Sequence, residues 1–172
     1  MDITPHIRDI QDFPKPGIIF KDITPLLVDA QAFNAVIEHL AERYAGKGVR
    51  KIVGVESRGF IFGAPLACKL GAGFVPARKP GKLPAETIAE SFELEYGTDT
   101  LELHTDAIAP GEKTLLIDDL LATGGTLQAA AKLIDKLQGD LIEIVTIIEL
   151  SFLNGRKKLP EGVPFHSLMQ VD

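Results

Sequence analysis

The sequence of 172 residues contains no tryptophan, a single cysteine and only 6% aromatic residues. One cysteine, Cys68, excludes an internal disulfide framework and any zinc site built from several cysteines. Cys68 lies in an apolar stretch, so we expect a small buried thiol. The sequence also lacks an apolar run near the roughly 20 residues of a membrane span, and its acidic, interrupted start is unlike a secretory signal. We therefore expect a cytoplasmic protein without a membrane partner.

Positive charge is in deficit, with 18 lysines and arginines against 24 aspartates and glutamates, for a formal net charge of −6. A broad electrostatic grip on nucleic acid is therefore not expected. Local basic clusters could still hold a small phosphorylated ligand. The length and a hydrophobic content of 45% fit a single domain over residues 1–172.

Short β-branched apolar runs alternate with stretches of helical periodicity along the chain. The predicted strands are KIVGVE (51–56), FVPAR (74–78), KTLLID (113–118), LIEIVTIIEL (141–150) and a short strand near Phe165. The predicted helices cover about residues 33–44, 60–70 and 127–137. This alternation indicates an α/β fold with a central, mostly parallel sheet flanked by helices.

Two segments stand outside that regular pattern. Residues 1–30 contain Pro14, Pro16, Gly17 and Pro25, which predict a shaped arm or small N-terminal hood. Residues 79–90 are polar and have no clear period, so they are a candidate mobile loop. Apolar and acidic residues then alternate on both sides of Gly97, which indicates a β-hairpin. The flexible catalytic loop and hairpin together occupy about residues 79–105.

The stretch LLIDDLLATGGT (115–126) joins paired carboxylates to a glycine turn. Ligands of open α/β sheets bind at the carboxyl ends of the strands, where Asp118 and Asp119 are expected. Amides and hydroxyls of residues 122–126, at the start of the next helix, suit a phosphate. The carboxylates could accept hydrogen bonds from vicinal hydroxyls or hold a hydrated Mg²⁺. A diol beside a phosphate describes a ribose 5-phosphate.

The same stretch resembles the signature of type I phosphoribosyltransferases, which bind 5-phosphoribosyl-1-pyrophosphate (PRPP). FPKPGIIFKDITPLL (13–27), VESRGFIFG (55–63), RKPGKLP (78–84) and FELEYG (92–97) further resemble the adenine-specific members, in order and over nearly the whole chain. The resemblance implies the type I phosphoribosyltransferase fold and transfer of ribose 5-phosphate from PRPP to N9 of adenine. The products are AMP and pyrophosphate, a reaction of purine salvage. The resemblance also implies a homodimer.

The resemblance assigns roles to particular residues. Pyrophosphate and PRPP contacts fall on Ser57, Arg58, Arg78, Lys79 and Lys82, together with Asp118 and Asp119, and the 5-phosphate falls on Ala122, Thr123, Gly124, Gly125 and Thr126. Mg²⁺ is implied as a cofactor held mainly by PRPP, near Asp118 and Asp119 and with no direct protein ligand expected. A non-proline cis peptide bond at Ser57 is a further possibility by analogy. The catalytic residues are Glu95, Asp118 and Asp119.

Glu95 lies on the polar face of the hairpin, where an isolated glutamate is more often merely solvated. Its place in LEYG matches the family position that manages protons at N7 of adenine, so we favour a general acid/base role. Glu93, two residues away on the same face, is the local competitor.

Adenine recognition is expected in GIIFKD and at the end of a strand. Backbone groups of Ile19 and Lys21 would bind the base, Phe20 or Ile19 would cover the ring, and Leu150 would pack on its other side. A purely structural core role is equally open for each side chain. Two alternatives for the whole protein are a transferase for hypoxanthine or xanthine, and a PRPP-binding regulator of the same fold. The acidic net charge and the absence of a spare DNA-binding segment disfavour the regulator.

Overall fold

The computed structural model describes residues 1–93 and 97–172. The described residues form four α-helices: α1 (Thr24–Val28), α2 (Ala30–Tyr44), α3 (Arg58–Leu70) and α4 (Gly125–Lys136). They also form nine strands: β1 (Arg8–Ile10), β2 (Phe20–Asp22), β3 (Lys51–Val55), β4 (Gly73–Ala77), β5 (Thr87–Glu93), β6 (Thr98–His104), β7 (Lys113–Leu121), β8 (Asp140–Leu150) and β9 (Phe165–Val171). Short 3₁₀ turns occur at Thr4–His6, Ser151–Leu153 and Gly155–Lys158.

Five of these strands form one parallel sheet in the order β4-β3-β7-β8-β9. Val53 of β3 pairs with Val75 on one side and with Leu116 of β7 on the other, so β7 lies at the centre of the sheet. The strands are continuous apolar runs because helices and the hairpin cover both faces. The predicted α/β fold with a parallel central sheet is confirmed.

Each face of the sheet has its own hydrophobic core. On one face, α2 and α3 bury side chains such as Leu40, Tyr44 and Phe62 against the sheet. On the other face, α4 and the β5–β6 hairpin enclose a second core that includes Leu103 and Leu127. Asp29 caps α2, since its carboxylate accepts hydrogen bonds from two backbone N–H groups at 3.0 Å. The cores hold the sheet rigid beneath the ends of its strands.

The arm and the hairpin depart from the expected boundaries. β1 and β2 pair as an antiparallel ribbon within the N-terminal arm, with Asp9 opposite Lys21. β5 begins at Thr87, inside the segment predicted as a mobile loop, because its residues pair continuously with β6. The apparent lack of period there concealed a strand whose partner lies further along the chain.

Cys68 is exposed, so the prediction of a buried thiol is wrong. α3 turns Phe62, Gly63, Leu66 and Ala67 toward the core, and Cys68 falls next to that face on the solvent side. Local apolar composition indicates the helix but not the orientation of this residue. Of the helices within the described part of the chain, none has the length and apolarity needed to cross a membrane.

Candidate functional site

The paired carboxylates, Asp118 and Asp119, lie within the central strand, close to its carboxyl end. β7 continues past Asp118 to Leu121, because Leu120 and Leu121 still pair with β8. The predicted strand end at Asp118 is therefore three residues early. Asp119 is 4% exposed, and its Oδ2 lies 2.9 Å from Nε of Arg58.

Both carboxyl groups are held in an environment that opposes their ionisation. Burial raises the pKa of Asp118 well above its ordinary value, and the neighbouring charge of Asp119 adds to the effect. Burial also raises the pKa of Asp119, although Arg58 offsets part of this shift. A buried carboxylate beside a half-buried one is suited to a ligand that brings positive charge or hydroxyl donors.

The start of α3 brings Arg58 to the carboxylates. A Cβ atom on Gly59 would lie 2.8 Å from the carbonyl oxygen of Ile117 and 3.2 Å from Oδ1 of Asp118, so only glycine allows this close approach. The peptide bond between Glu56 and Ser57 is cis, as the resemblance suggested. The end of β3 and the start of α3 thus lie directly against the end of β7.

The glycine turn after β7 forms the N-terminus of α4. Gly124 has a φ of +85°, and a Cβ atom there would lie 2.3 Å from the carbonyl oxygen of Gly155. Both the left-handed conformation and the backbone contact therefore require glycine. Gly125 begins the 12-residue helix, so free amides at its first turn and the helix dipole favour an anion.

Two adjoining cavities connect these parts. A cavity of about 220 Å³ is lined by Ser57, Arg58, Lys79, Asp118, Asp119 and Thr126, and also by Val55, Glu56, Phe92, Asp99 and Leu101. A smaller one of about 70 Å³ is lined by residues of the turn, namely Ala122, Thr123, Gly124 and Thr126, with Asp118 and three leucine side chains. Asp118 and Thr126 line both. The turn and the carboxylates therefore face a shared space.

Of the predicted pyrophosphate cations, Arg58 and Lys79 line the larger cavity, and Arg78 is paired with Glu56, which also lines it. Nε of Arg78 is 2.8 Å from Oε2 of Glu56, and Nζ of Lys79 is 2.9 Å from Oδ2 of Asp99. Burial opposes ionisation of Glu56, but hydrogen bonds from Arg78 and from the Lys79 backbone outweigh it and lower its pKa. Lys79 likewise lowers the pKa of Asp99. Lys82 is exposed and lines neither cavity.

None of the four residues predicted for adenine is among the described residues that line the two cavities. Phe20 joins the hood to the site, since the Arg58 guanidinium lies 5.2 Å from its ring centroid. Ile19 is 48% exposed. Nζ of Lys21 binds both carboxylate oxygens of Asp9, at 2.7 and 2.8 Å. Leu150 is the last residue of β8.

Glu95 lies outside the described residues, as do its two neighbours. The flanking strand residues place the hairpin at the site, because Phe92 lines the larger cavity and pairs with Asp99. Glu93 is exposed.

Sequence reasoning missed five residues that the structure brings to the larger cavity: Glu56, Phe92 and Asp99, and the apolar Val55 and Leu101. Glu56 directly precedes Ser57 and Arg58 in the VESRGFIFG motif, and this position is the signal that could have identified it. The sequence around Asp99 is typical of a turn, and Phe92 is one of the apolar residues that alternate with acidic residues in the predicted hairpin. Their placement depends on how the hairpin folds back over β7, which no local pattern indicates.

The site contains oxygen atoms that could be ligands for a hard cation such as Mg²⁺. Within residues 1–93 and 97–172, no cluster of three or more histidine, cysteine, aspartate or glutamate side chains could hold a metal ion. Mg²⁺ commonly takes one or two carboxylates and completes its shell with substrate phosphates and water. Asp118 and Asp119 fit that limited role.

This fold and site define the class of protein. A family model described as "Phosphoribosyl transferase domain" matches residues 26–164. An adenine phosphoribosyltransferase of Trichlorobacter lovleyi is 59% identical over 169 residues, which cover 98% of each chain. The chain belongs to the adenine phosphoribosyltransferase family.

Solved structures of relatives agree with this assignment. The structure of adenine phosphoribosyltransferase from Thermoanaerobacter pseudethanolicus matches with a TM-score of 0.94 and 56% identity, covering 98% of each chain. The Saccharomyces cerevisiae enzyme matches with a TM-score of 0.91 and 40% identity over 96% of each chain. That structure is a complex with D-2,5-dideoxy-2,5-imino-altritol 1,6-bisphosphate and adenine.

Proposed function

We propose that this chain transfers the ribose 5-phosphate group from PRPP to N9 of adenine, giving AMP and pyrophosphate in purine salvage. The observation that supports this most strongly is the shared space between the Asp118–Asp119 pair and the turn at 122–126. A ribose 5-phosphate needs hydrogen-bond acceptors for its hydroxyls and, close by, hydrogen-bond donors for its phosphate. The carboxylate pair supplies the acceptors and the turn supplies the donors. The relatives named for the same activity support the choice of adenine.

The donor is bound from both sides of the ribose. Backbone amides of residues 122–126 and the hydroxyls of Thr123 and Thr126 hold the 5-phosphate at the start of α4. Asp118 and Asp119 accept hydrogen bonds from the ribose hydroxyls. Their negative charge stabilises the cationic, oxocarbenium-like sugar that develops as the leaving group departs.

Pyrophosphate is bound by the side chains predicted for it. Four of these are cations, namely Arg58, Arg78, Lys79 and Lys82, and the fifth is Ser57. Arg58, Arg78 and Lys79 are each paired with a carboxylate, so binding requires them to exchange partners. A pyrophosphate carries more charge than one carboxylate and can accept several charge-assisted hydrogen bonds at once. Mg²⁺, held by PRPP with Asp118 and Asp119 nearby, would neutralise part of the charge of the leaving group.

Adenine is bound between the hood and the end of β8. Backbone groups of Ile19 and Lys21 read the edge of the base, while Phe20 or Ile19 and Leu150 cover its two faces. Phe20 already contacts Arg58, so the base would lie next to the reacting ribose. A homodimer and a cytoplasmic location belong to the same proposal.

The function is tested by incubating the protein with PRPP, Mg²⁺ and each of adenine, hypoxanthine, guanine and xanthine, and by measuring nucleotide and pyrophosphate. We expect AMP and equimolar pyrophosphate from adenine, with no product when EDTA replaces Mg²⁺. Faster use of an oxopurine would support the alternative transferase instead. PRPP binding without turnover of any base would support the regulator.

The role of Glu95 is tested by Glu95→Gln. We expect kcat to fall by about 100-fold or more, the size of a lost general acid/base contribution, with little change in the dissociation constant of PRPP. Glu93→Gln is the matched control, since it removes the same charge two residues away. Steady-state kinetics and PRPP titration measure both quantities. Equal turnover in wild type and Glu95→Gln would refute the assignment.

A further inference from the structure

The end of β8 carries an ion pair between a buried glutamate and an exposed arginine, and this pair has no part in the proposed chemistry. Glu149 is 4% exposed, and both of its oxygens are 2.5 Å from the Arg156 guanidinium, one from Nε and one from Nη2. Ser167 and Gln170 of β9 donate further hydrogen bonds to it, at 3.3 and 3.2 Å. The hydrogen bonds from Arg156 are the main cause of the lowered pKa of Glu149. The carboxylate is fully satisfied, so its position is well determined.

This ion pair closes the chain segment 150–156 into a loop. Arg156 belongs to the 3₁₀ turn Gly155–Lys158 and reaches back to the last residues of β8. Its guanidinium also lies 4.8 Å from the ring centroid of Phe165 at the start of β9. The 3₁₀ turn is thereby fixed to two strands of the central sheet.

The same 3₁₀ turn lies directly against the glycine turn after β7. A Cβ atom on Gly155 would lie 2.2 Å from the carbonyl oxygen of Ala122, and one on Gly124 would lie 2.3 Å from the carbonyl oxygen of Gly155. A Cβ atom on Gly124 would also lie 3.2 Å from Cβ of Lys158. The two backbones are in contact without an intervening side chain, so a displacement of one must displace the other.

We infer that Glu149 and Arg156 are positioning residues for the 5-phosphate site, and that they act by holding the 3₁₀ turn Gly155–Lys158 against the turn at residues 122–126. Gly124 has no side chain with which to cap α4, so the packed backbone of Gly155 is what sets the direction of the turn's amides. Neither Glu149 nor Arg156 lines the two cavities among the described residues. This inference rests on the proposed function, which assigns the 5-phosphate to the turn.

The chain offers a matched control on the same strand. Glu143 is also 4% exposed, and its Oε1 is 2.6 Å from Nη2 of Arg43 at the end of α2. This pair lies at the other end of β8, about 20 Å from Glu149 at roughly 3.3 Å per residue. Breaking either pair removes the arginine partner of a buried carboxylate, so both changes should lower the thermal midpoint. Lys47 remains 3.7 Å from Glu143, and Ser167 and Gln170 still donate to Glu149. Only the Arg156 pair contacts the segment that supports the turn.

The experiment measures binding of ribose 5-phosphate and of pyrophosphate by calorimetry to wild type, Arg156→Ala, Arg156→Lys and Arg43→Ala. We expect Arg156→Ala to weaken ribose 5-phosphate binding about tenfold, a modest effect for a displacement of less than about 1 Å. Pyrophosphate binding should stay within about twofold, because its cations lie on α3 and in the segment after β4. Arg43→Ala should bind both ligands as wild type does, although its thermal midpoint falls.

Arg156→Lys distinguishes the role of the planar guanidinium from the role of its positive charge. Lysine keeps the positive charge but lacks the planar fork that grips both oxygens of Glu149, so ribose 5-phosphate binding should still weaken by about threefold. This variant also carries the test if Arg156→Ala does not fold. Wild-type affinity in both folded Arg156 variants, or an equal loss in Arg43→Ala, would overturn the positioning role alone. Failure of the wild type to bind ribose 5-phosphate would overturn the proposed function as well.

Discussion

Asp118→Asn is expected to lower kcat by about 100-fold or more and, at neutral pH, to stabilise the folded protein by about 1–2 kcal/mol. The loss of activity follows from removing a negative charge beside the cationic ribose of the transition state. The gain in stability follows from removing a poorly solvated charge whose neighbour, Asp119, has the same sign. Where repulsion between active-site charges is relieved only when the ligand binds, removing one charge should lower activity and raise stability together.

The sign of the pH dependence distinguishes this explanation from a general improvement in packing. Burial raises the pKa of Asp118, so the folded protein binds this proton more tightly than the unfolded chain does. Wild-type stability therefore falls as pH rises from the ordinary aspartate value of 3.8 through the raised value. The Asp118→Asn variant has no ionisable group at this position. Its stability advantage should be largest at neutral pH and should shrink as pH falls.

Thermal unfolding between about pH 8 and pH 5, with kinetics at neutral pH, measures both effects. Asp119→Asn is the control, because Asp119 already has a cationic partner in Arg58 at 2.9 Å. It should lose activity but gain little or no stability, since the change leaves Arg58 unpaired. A less stable Asp118→Asn at neutral pH would contradict the proposed repulsion, and unchanged turnover would contradict the catalytic role.

The central sheet and the closeness of the carboxylates to the glycine turn could be predicted because their signals are local. Continuous β-branched runs indicate parallel strands covered on both faces, and β3, β7 and β8 occur where those runs lie. A carboxylate pair followed by a glycine turn places two functional features within one short stretch, residues 115–126. The carboxylates and the turn are close in sequence, so they must also be close in space, at the end of β7 and the start of α4.

The surroundings of the site could not be predicted because they depend on distant pairings. β5 begins in a segment without visible periodicity and is defined by its register with β6. Asp99 has the sequence context of a turn residue, yet it pairs with Lys79 across the larger cavity. Gly155 belongs to NGRKKLPEG, which reads as an ordinary turn before the last strand. Nothing in that segment indicates that its backbone contacts the glycine turn at residues 122–126, much earlier in the chain.

Gly124→Ala is expected to destabilise the fold by about 3 kcal/mol or more and to raise the KM for PRPP by about 100-fold. An alanine at φ +85° is strained by about 1–2 kcal/mol. The added Cβ atom would also lie 2.3 Å from the carbonyl oxygen of Gly155, a backbone atom that cannot rotate away. The turn must therefore move, and its amides move with it away from the 5-phosphate.

Substitutions at two further glycines distinguish the effect of backbone strain at Gly124 from the effect of its contact with Gly155. Gly111 has a φ of +77°, and a Cβ atom added there would have no other atom within 4 Å, so Gly111→Ala should cost about 1–2 kcal/mol and leave the KM for PRPP unchanged. Gly155 has no positive φ, but its Cβ atom would lie 2.2 Å from the carbonyl oxygen of Ala122. Gly155→Ala should therefore raise the KM for PRPP as Gly124→Ala does. Thermal unfolding and steady-state kinetics of the three variants would decide whether the phosphate turn depends on glycine flexibility or on backbone contact. If Gly155→Ala retained the wild-type KM, flexibility at Gly124 would be sufficient; an increased KM would show that the contact sets the geometry of the site.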